Sequence, residues 1–459
     1  MCSFSSLPLS PQFLKNLADM EYNAMTPIQE ESLPAILEGC DVLARAKTGS
    51  GKTAAFGIGI LHNINLDRYR VQALVLCPTR ELAEQVTAEL RLLARYTHNI
   101  KIMKITGGMP LRKQQHSLSH EAHIIVGTPG RVLALLQANS LQLNEVSMLV
   151  LDEADRMLDM GFIDPITEIL SFVPQERQTL FFSATLPDEI RHLSKKILRN
   201  PRSVSVDEHH DASVIEQHFH EVHPQDKGRA LMALLSLHRP ESSLIFCNTK
   251  EGCRTLGEEL MGAGFHALVI HGDLEQKERT EVLIRFSNGS SRVLVATDVA
   301  ARGLDISDLS AVFNYDLPLE TETYVHRIGR TGRAGRTGLA ISLMKPVEKH
   351  RLTLINEFLS GNYRLEPVSY SGVKETQWFE PPMVTLSING GRRNKISAGD
   401  LLGALTARGG IEGSQVGRID RQDYITFVAV KREVLPQARK ILAQGRIKGN
   451  RFKVMVHEA

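Results

Sequence analysis

Asp41-Val42-Leu43-Ala44-Arg45-Ala46-Lys47-Thr48-Gly49-Ser50-Gly51-Lys52-Thr53 runs from a short apolar stretch through a glycine-bearing turn into the Ala-rich start of a helix. Apolar run, loop and helix in that order open a parallel β-α-β unit. Gly49 and Gly51 allow the backbone to curl so that its N–H groups and the helix N-terminus face a phosphate. Lys52 adds a point charge, and the Thr53 hydroxyl suits magnesium. The stretch predicts a phosphate-binding loop, with Ala46 where the usual pattern has its first glycine.

Outward from this unit the same rhythm repeats. Ala73-Leu74-Val75-Leu76-Cys77, His123-Ile124-Ile125-Val126, Met148-Leu149-Val150-Leu151 and Thr179-Leu180-Phe181-Phe182 read as strands, each followed by a polar or glycine-rich turn and a helical pattern. A second series comprises Ser243–Cys247, Ala267–Ile270, Arg292–Ala296, Ala311–Asn314 and Leu339–Leu343. Unbroken apolar runs of this length suit strands covered on both faces. The polar stretch 207–213 divides the series, and 367–382, with Pro367, Pro381 and Pro382, separates both from the C-terminal stretch. The expected architecture is α/β: two tandem parallel-sheet lobes, 1–206 and 214–366, then a small α+β domain, 383–459.

Composition limits the possibilities. A chain of 459 residues, 42% hydrophobic and 23% charged, is too long for one core and too mixed for a disordered or fibrous protein. No apolar run of about eighteen residues appears and no secretory pattern opens the chain, so no membrane association and a cytoplasmic location are expected. Five scattered cysteines without a Cys-x-x-Cys pair read as reduced thiols. Net charge is +2, yet residues 383–459 hold 14 Lys and Arg against 6 Asp and Glu, a balance of +8 that leaves −6 for the first 382. A basic module on an acidic body suggests a polyanion-binding tail, although a merely solvated surface would carry the same charge.

Leu149-Val150-Leu151-Asp152-Glu153-Ala154-Asp155 places two carboxylates at the end of an apolar strand. Alone, such a pair is more often a solvated helix start. Beside a phosphate loop, Asp152 becomes a candidate magnesium ligand and Glu153 the candidate that orients attacking water in phosphoryl transfer. With its companions this sequence resembles the DEAD-box RNA helicases from residue 1 to about 366. The companions are Phe4, Thr26-Pro27-Ile28-Gln29, Pro78-Thr79-Arg80-Glu81-Leu82-Ala83, Gly107-Gly108, Thr128-Pro129-Gly130-Arg131 and Ser183-Ala184-Thr185 in the first lobe. In the second they are Ile245–Thr249, Gln276–Arg279, Ala296–Asp305 and His326-Arg327-Ile328-Gly329-Arg330-Thr331-Gly332-Arg333. Many motifs in one order are far more specific than any one pattern.

The resemblance implies RecA-like lobes, ATP with Mg²⁺ as cofactors, RNA as partner, and a monomer that unwinds short duplexes locally. It implies that Phe4 packs on the adenine and Gln29 reads its edge, while Thr48, Gly49, Ser50, Gly51, Lys52 and Thr53 cradle the phosphates. Asp305 would meet the ribose, and Arg330 and Arg333 would act as arginine fingers. Ser183, Thr185 and His326 would couple hydrolysis to RNA. Arg80, Gly108, Thr128, Arg131, Asn248, Thr249, Gln276, Arg279 and Thr297 would grip sugar and phosphate, contacts that position without reading sequence.

Residues 383–459 show a β-α-β-β-α-β rhythm that suits an RNA-recognition-motif fold. The aromatic signature of the central strand is incomplete, which argues against base stacking on the sheet. Gly390–Lys395, Gly399–Leu405 and Ile447-Lys448-Gly449 resemble the C-terminal domain of the DbpA (YxiN) group of bacterial DEAD-box proteins. That resemblance implies tethering to a hairpin of large-subunit ribosomal RNA during assembly of the subunit. Arg392, Arg393, Lys395, Lys431, Arg432, Arg446, Lys448 and Lys453 are the candidate tail contacts. Two alternatives stay open: a general or messenger-RNA helicase with a nonspecific basic tail, and an ATP-dependent RNA clamp with little hydrolysis.

Overall fold

The computed structural model describes residues 3–46, 49–118, 122–206, 215–301, 308–332, 337–370, 380–407 and 409–457. Thr48, Asp305, Arg333 and the linker 207–213 lie outside the described residues, as does much of 367–382.

The first unit is built on a seven-stranded, all-parallel sheet. Its strands are β1 (Val42–Arg45), β2 (Ala73–Leu76), β3 (Ile102–Ile105), β4 (Ile124–Gly127), β5 (Met148–Leu151), β6 (Gln178–Ser183) and β7 (Arg202–Ser205). They lie side by side as β3-β4-β2-β5-β6-β1-β7. Alternation along each strand feeds two cores: Val75, Val150 and Phe182 face one layer of helices, Leu74, Leu149, Leu151 and Phe181 the other. That double coverage is why β2, β4 and β5 are buried at every position and read as plain apolar runs.

The second unit repeats the plan. Strands β8 (Ile215–Glu221), β9 (Ser243–Cys247), β10 (Ala267–Ile270), β11 (Val293–Thr297), β12 (Ala311–Asn314), β13 (Gly338–Met344) and β14 (Leu365–Glu366) form a parallel sheet in the order β10-β11-β9-β12-β13-β8-β14. The strands absent from the sequence reading are β3, β7, β8 and β14. Each mixes polar with apolar residues, and β3, β7 and β14 are sheet edges, where a side open to solvent removes the demand for an apolar run.

The tail carries an antiparallel four-stranded sheet, β15 (Met383–Ile388), β16 (Val416–Arg421), β17 (Thr426–Lys431) and β18 (Val454–His457), ordered β16-β17-β15-β18. Helices Ala398–Thr406 and Leu435–Gln444 cover one face, burying Leu386, Ile388, Val428 and Val430. The first helix starts at a capping box in which the Ser397 hydroxyl accepts from Asp400 N and the Asp400 carboxylate accepts from Ser397 N. The opposite face is covered by the second lobe. Thr385 Oγ1 accepts from Asn288 Nδ2 at 2.9 Å and lies 2.7 Å from Ser290 Oγ, and His457 Nδ1 lies 2.8 Å from Glu281 Oε1. Thr385 and Ser387 are consequently buried, although both point away from the tail's own core.

Candidate nucleotide and RNA sites

Strand order assembles the first site. β5, β6 and β1 are neighbours, so the loops at their carboxyl ends lie side by side, where open α/β sheets present ligand-binding residues. Gly49 and Gly51 have φ of +87° and +92°, left-handed conformations that favour glycine, and the helix Lys52–Asn63 starts directly afterwards. Thr26 and Gln29 brace this loop. Thr26 Oγ1 donates to Ser50 O at 2.8 Å, and Gln29 Nε2 donates to Gly51 O at 3.1 Å while Gln29 Oε1 accepts from Thr26 N at 2.9 Å. Gln29 is only 1% exposed, and each of its amide atoms already has one bond to the loop or its brace. Phe4 is also buried, its ring 6.3 Å from that of Tyr22, so stacking on a base would require the ring to be uncovered. Thr53 is half-buried at the first turn of the helix.

Lys52 Nζ donates to Ala46 O at 3.0 Å and lies 4.0 Å from Asp152 Oδ1. Burial pushes the Asp152 carboxyl up to about 6, against the pull of Lys52 and with the help of Glu153. Asp152 Oδ1 is buried and has no hydrogen-bond partner among the described residues. Glu153 has φ 55° and ψ 54°, a left-handed conformation for a residue with a side chain, and its Oε2 accepts from Arg156 Nη1 at 2.7 Å. Asp155 Oδ2 accepts from Ala184 N, Thr185 N and Thr185 Oγ1 at 3.1, 2.9 and 3.0 Å. Ser183 Oγ donates to Thr185 O and accepts from Asp155 N. The two candidate coupling residues of this lobe are thus fastened to the acidic turn, while His326 sits half-buried in the second unit.

The other half of the first sheet makes a second cluster. β3, β4 and β2 are neighbours, and the residues after them are Gly107-Gly108, Thr128 and Arg80. A side chain at Gly107 would come within 2.8 Å of Arg80 Nη2, which shows how closely the two segments approach. Arg131 Nη1 donates to Met109 O at 2.8 Å and to Gln114 Oε1 at 3.1 Å. Arg80, Gly108, Thr128 and Arg131 therefore surround one surface.

In the second unit Arg327 organises the candidate residues. It is 2% exposed, and all five N–H donors are used: Nε on Asp298 Oδ1, Nη1 on Asn314 Oδ1 and Asp316 O, Nη2 on Asn248 Oδ1 and Asp298 Oδ2. Asn248 is exposed, and its Nδ2 donates to Leu317 O. Thr249 caps the helix Lys250–Gly262, its Oγ1 accepting from Gly252 N. Arg279 Nη2 reaches Ala300 O at 3.4 Å, Gln276 opens the helix Gln276–Ser287, and Thr297 ends β11. Arg330 is buried. Neither Arg156 nor Arg327 was assigned a role from the sequence. The signal was present, since each lies one residue from a motif position, but burial and donor satisfaction are tertiary properties.

The eight tail candidates divide. Arg392 and Arg393 donate backbone N–H bonds to Gln422 O and Asp423 O, Arg393 stacks 5.0 Å over Tyr424, and Lys448 Nζ donates to Lys395 O at 2.7 Å. Lys453 N donates to Asn389 Oδ1 beside this group. Arg392, Arg393, Lys395, Lys448 and Lys453 gather with exposed Tyr424 at one end of the sheet, and Arg446 is exposed in the same loop as Lys448. Lys431 lies apart from this group: it pairs with Met383 at the opposite end of β15, a strand of six residues and roughly 17 Å away. Arg432 follows it there, tied to Pro381 O at 3.0 Å and to Glu380 at 3.4 Å.

Comparison with known proteins adds to this geometry. Residues 26–193 match the DEAD/DEAH box helicase family, 226–335 the helicase conserved C-terminal domain and 385–456 the DbpA RNA binding domain. The chain is 48% identical to the ATP-dependent RNA helicase DbpA of Escherichia coli over 457 residues, 99% of each protein. It is 37% identical to the Bacillus subtilis protein of that name, again over 99% of each. Among solved structures it resembles S. cerevisiae Dbp5 bound to RNA and ADP BeF3, with TM-score 0.73 and 34% identity over 82% of this chain and 99% of the other.

Proposed function

The chain belongs to the DEAD-box ATP-dependent RNA helicases of the DbpA type, and from that premise we propose that its tail directs the motor to large-subunit ribosomal RNA or its precursor particle. The observation that carries this reading is the basic end of the tail sheet. Arg392, Arg393, Lys395, Lys448 and Lys453 lie at that end, with Arg393 stacked on exposed Tyr424, a surface suited to a structured hairpin by phosphate contacts and one stacking platform. A tail merely basic all over would not need its charges gathered by loop-to-loop hydrogen bonds.

In the motor, Lys52 and the loop Gly49–Thr53 are proposed to hold the ATP phosphates, Glu153 to orient the attacking water, and Arg330 and Arg333 to neutralise charge in the transition state. Gln29 and Phe4 are assigned to the adenine, Asp305 to the ribose. Ser183, Thr185 and His326 are assigned to coupling. Thr53 and Asp152 would hold magnesium, directly or through water. The fit is supported by Asp152 Oδ1, a buried oxygen without a partner among the described residues, which a cation or its water would complete. When bound, the ion supplies charge stabilisation to the phosphates. Arg80, Gly108, Thr128, Arg131, Asn248, Thr249, Gln276, Arg279 and Thr297 are proposed to grip the RNA backbone.

The test is ATP hydrolysis by the full chain with no RNA, with nonspecific RNA, and with ribosomal fragments containing or lacking the candidate hairpin. Stimulation by the hairpin fragment well above the others, lost when residues 383–459 are removed, is expected. Equal stimulation by every RNA would discard the targeting and leave the helicase.

A further inference from the structure

Arg156 lies one helical turn beyond Glu153 on the short helix Ala154–Asp159, at the i, i+3 spacing that brings side chains together. Its Nη1 donates to Glu153 Oε2 at 2.7 Å, and both side chains are more than nine-tenths buried. The backbone at Glu153 is left-handed, a strained conformation that persists only where the surroundings fix it. They do so here: the next turn is pinned through Asp155, whose carboxylate accepts from Arg156 N, Ala184 N, Thr185 N and Thr185 Oγ1. The backbone is held from one side and the glutamate tip from the other.

We propose that Arg156 is a positioning residue for hydrolysis, holding the Glu153 carboxylate by Oε2 in the orientation from which it directs the attacking water. The proposal rests on the reading of Glu153 as the water-orienting carboxylate. A glutamate has three rotatable bonds, and a planar guanidinium anchored on the same turn removes most of that freedom before ATP arrives. Arg156 touches one oxygen of Glu153, on a turn fixed by Asp155, while phosphate binding is assigned to Lys52 and the loop before it. Its loss is therefore expected in turnover and not in nucleotide binding.

Steady-state and single-turnover ATP hydrolysis by the full chain at saturating RNA, with wild type, Arg156→Met, Arg156→Lys and Glu153→Gln, tests this. Arg156→Met is expected to lose roughly 10- to 100-fold in kcat and in the single-turnover rate, the scale of a misplaced group near the reaction, with KM for ATP little changed. Arg156→Lys keeps the charge without the fork and should recover part of that loss. Arg156→Met turnover within about twofold of wild type, or a loss carried by KM, overturns the proposal. Should Arg156→Met not fold, Arg156→Lys decides: lowered kcat at unchanged KM supports the proposal, wild-type kcat overturns it. Wild-type hydrolysis by Glu153→Gln would instead refute the reading of Glu153.

Discussion

Replacing Gly51 by alanine asks whether the phosphate loop is held by the amide of Gln29. A methyl at Gly51 would sit 2.5 Å from Gln29 Nε2 and 2.9 Å from Thr26 Oγ1, on a backbone with φ +92°. The left-handed backbone alone costs an L residue about 1–2 kcal/mol. The methyl also forces Gln29 aside, and a buried amide separated from its partners costs about 1–3 kcal/mol more. Together these give about 2–5 kcal/mol, a large share of the roughly 5–15 kcal/mol that holds an ordinary domain. Hydrogen exchange of the helix Lys52–Asn63 reads the loss locally, and nucleotide affinity reads its consequence. In a Gln29→Ala background the contact with Gln29 disappears and only the one with Thr26 Oγ1 remains, so Gly51→Ala should then cost measurably less. Equal cost in both backgrounds would refute the bracing role of Gln29. Gly130→Ala is the control, since nothing lies within 4 Å of its would-be Cβ; in the helix Pro129–Gln137 it should be neutral or stabilising by up to about 1 kcal/mol.

Three further outcomes are expected. Arg327→Met strips a partner from half-buried Asp298 and from buried Asn314 and unties Asn248, so chemical denaturation should show the second lobe weakened by about 1–3 kcal/mol; a change under about 1 kcal/mol would contradict the five-donor hub. Lys448→Glu or Arg393→Glu should weaken RNA binding and lower the salt slope by about one contact, while Lys431→Glu should leave it near wild type, as fluorescence titration at several salt concentrations would report. His218 faces carboxylates on both ring nitrogens, Glu366 at Nδ1 and Glu216 at Nε2, each at 2.9 Å. Burial pulls its pKa down, yet these bonds outweigh that and raise it. A raised histidine stabilises fully below its ordinary value near 6.5 and loses that contribution as pH rises through the folded value. NMR should find His218 titrating above the ordinary range and Glu366→Gln should lower it; an unmoved value would remove Glu366 as the cause.

What could be read from the sequence was what repeats a local rule. The central strands are uniformly apolar because both faces are covered, so β2, β5, β9 and β12 were legible almost to the residue. Edge strands such as Arg202-Ser203-Val204-Ser205 were not, because one side meets water and the pattern dissolves. Motif residues were legible because spacing carries them. The ties between motifs were not: Gln29 to Gly51, Asp155 to Thr185 and Arg327 to Asn248 span 22, 30 and 79 positions, and no local pattern encodes such distances. That Lys431 and Arg432 lie apart from the other six basic candidates was hidden for the same reason, since charge is visible in a sequence and the end of a sheet is not.

Strand order places two candidate sites on one lobe. The order β3-β4-β2-β5-β6-β1-β7 places the loops after β3, β4 and β2 on one half of the carboxyl edge and those after β5, β6 and β1 on the other. The first half carries Gly108, Thr128 and Arg80, the candidate RNA contacts; the second carries Asp152, Ser183 and Lys52, the candidates for hydrolysis. Adjacent β2 and β5, in register from Ala73 with Met148 to Leu76 with Leu151, join the halves through a backbone ladder that a small side-chain shift cannot shear. The tail solves a different problem. Its sheet face, the surface on which modules of this shape stack bases, is occupied by Asn288, Ser290 and Glu281 of the second lobe. The loop end, where Arg393 and Tyr424 stack on one another, is the surface proposed for RNA, and the incomplete aromatic signature and the docked face both point away from the sheet.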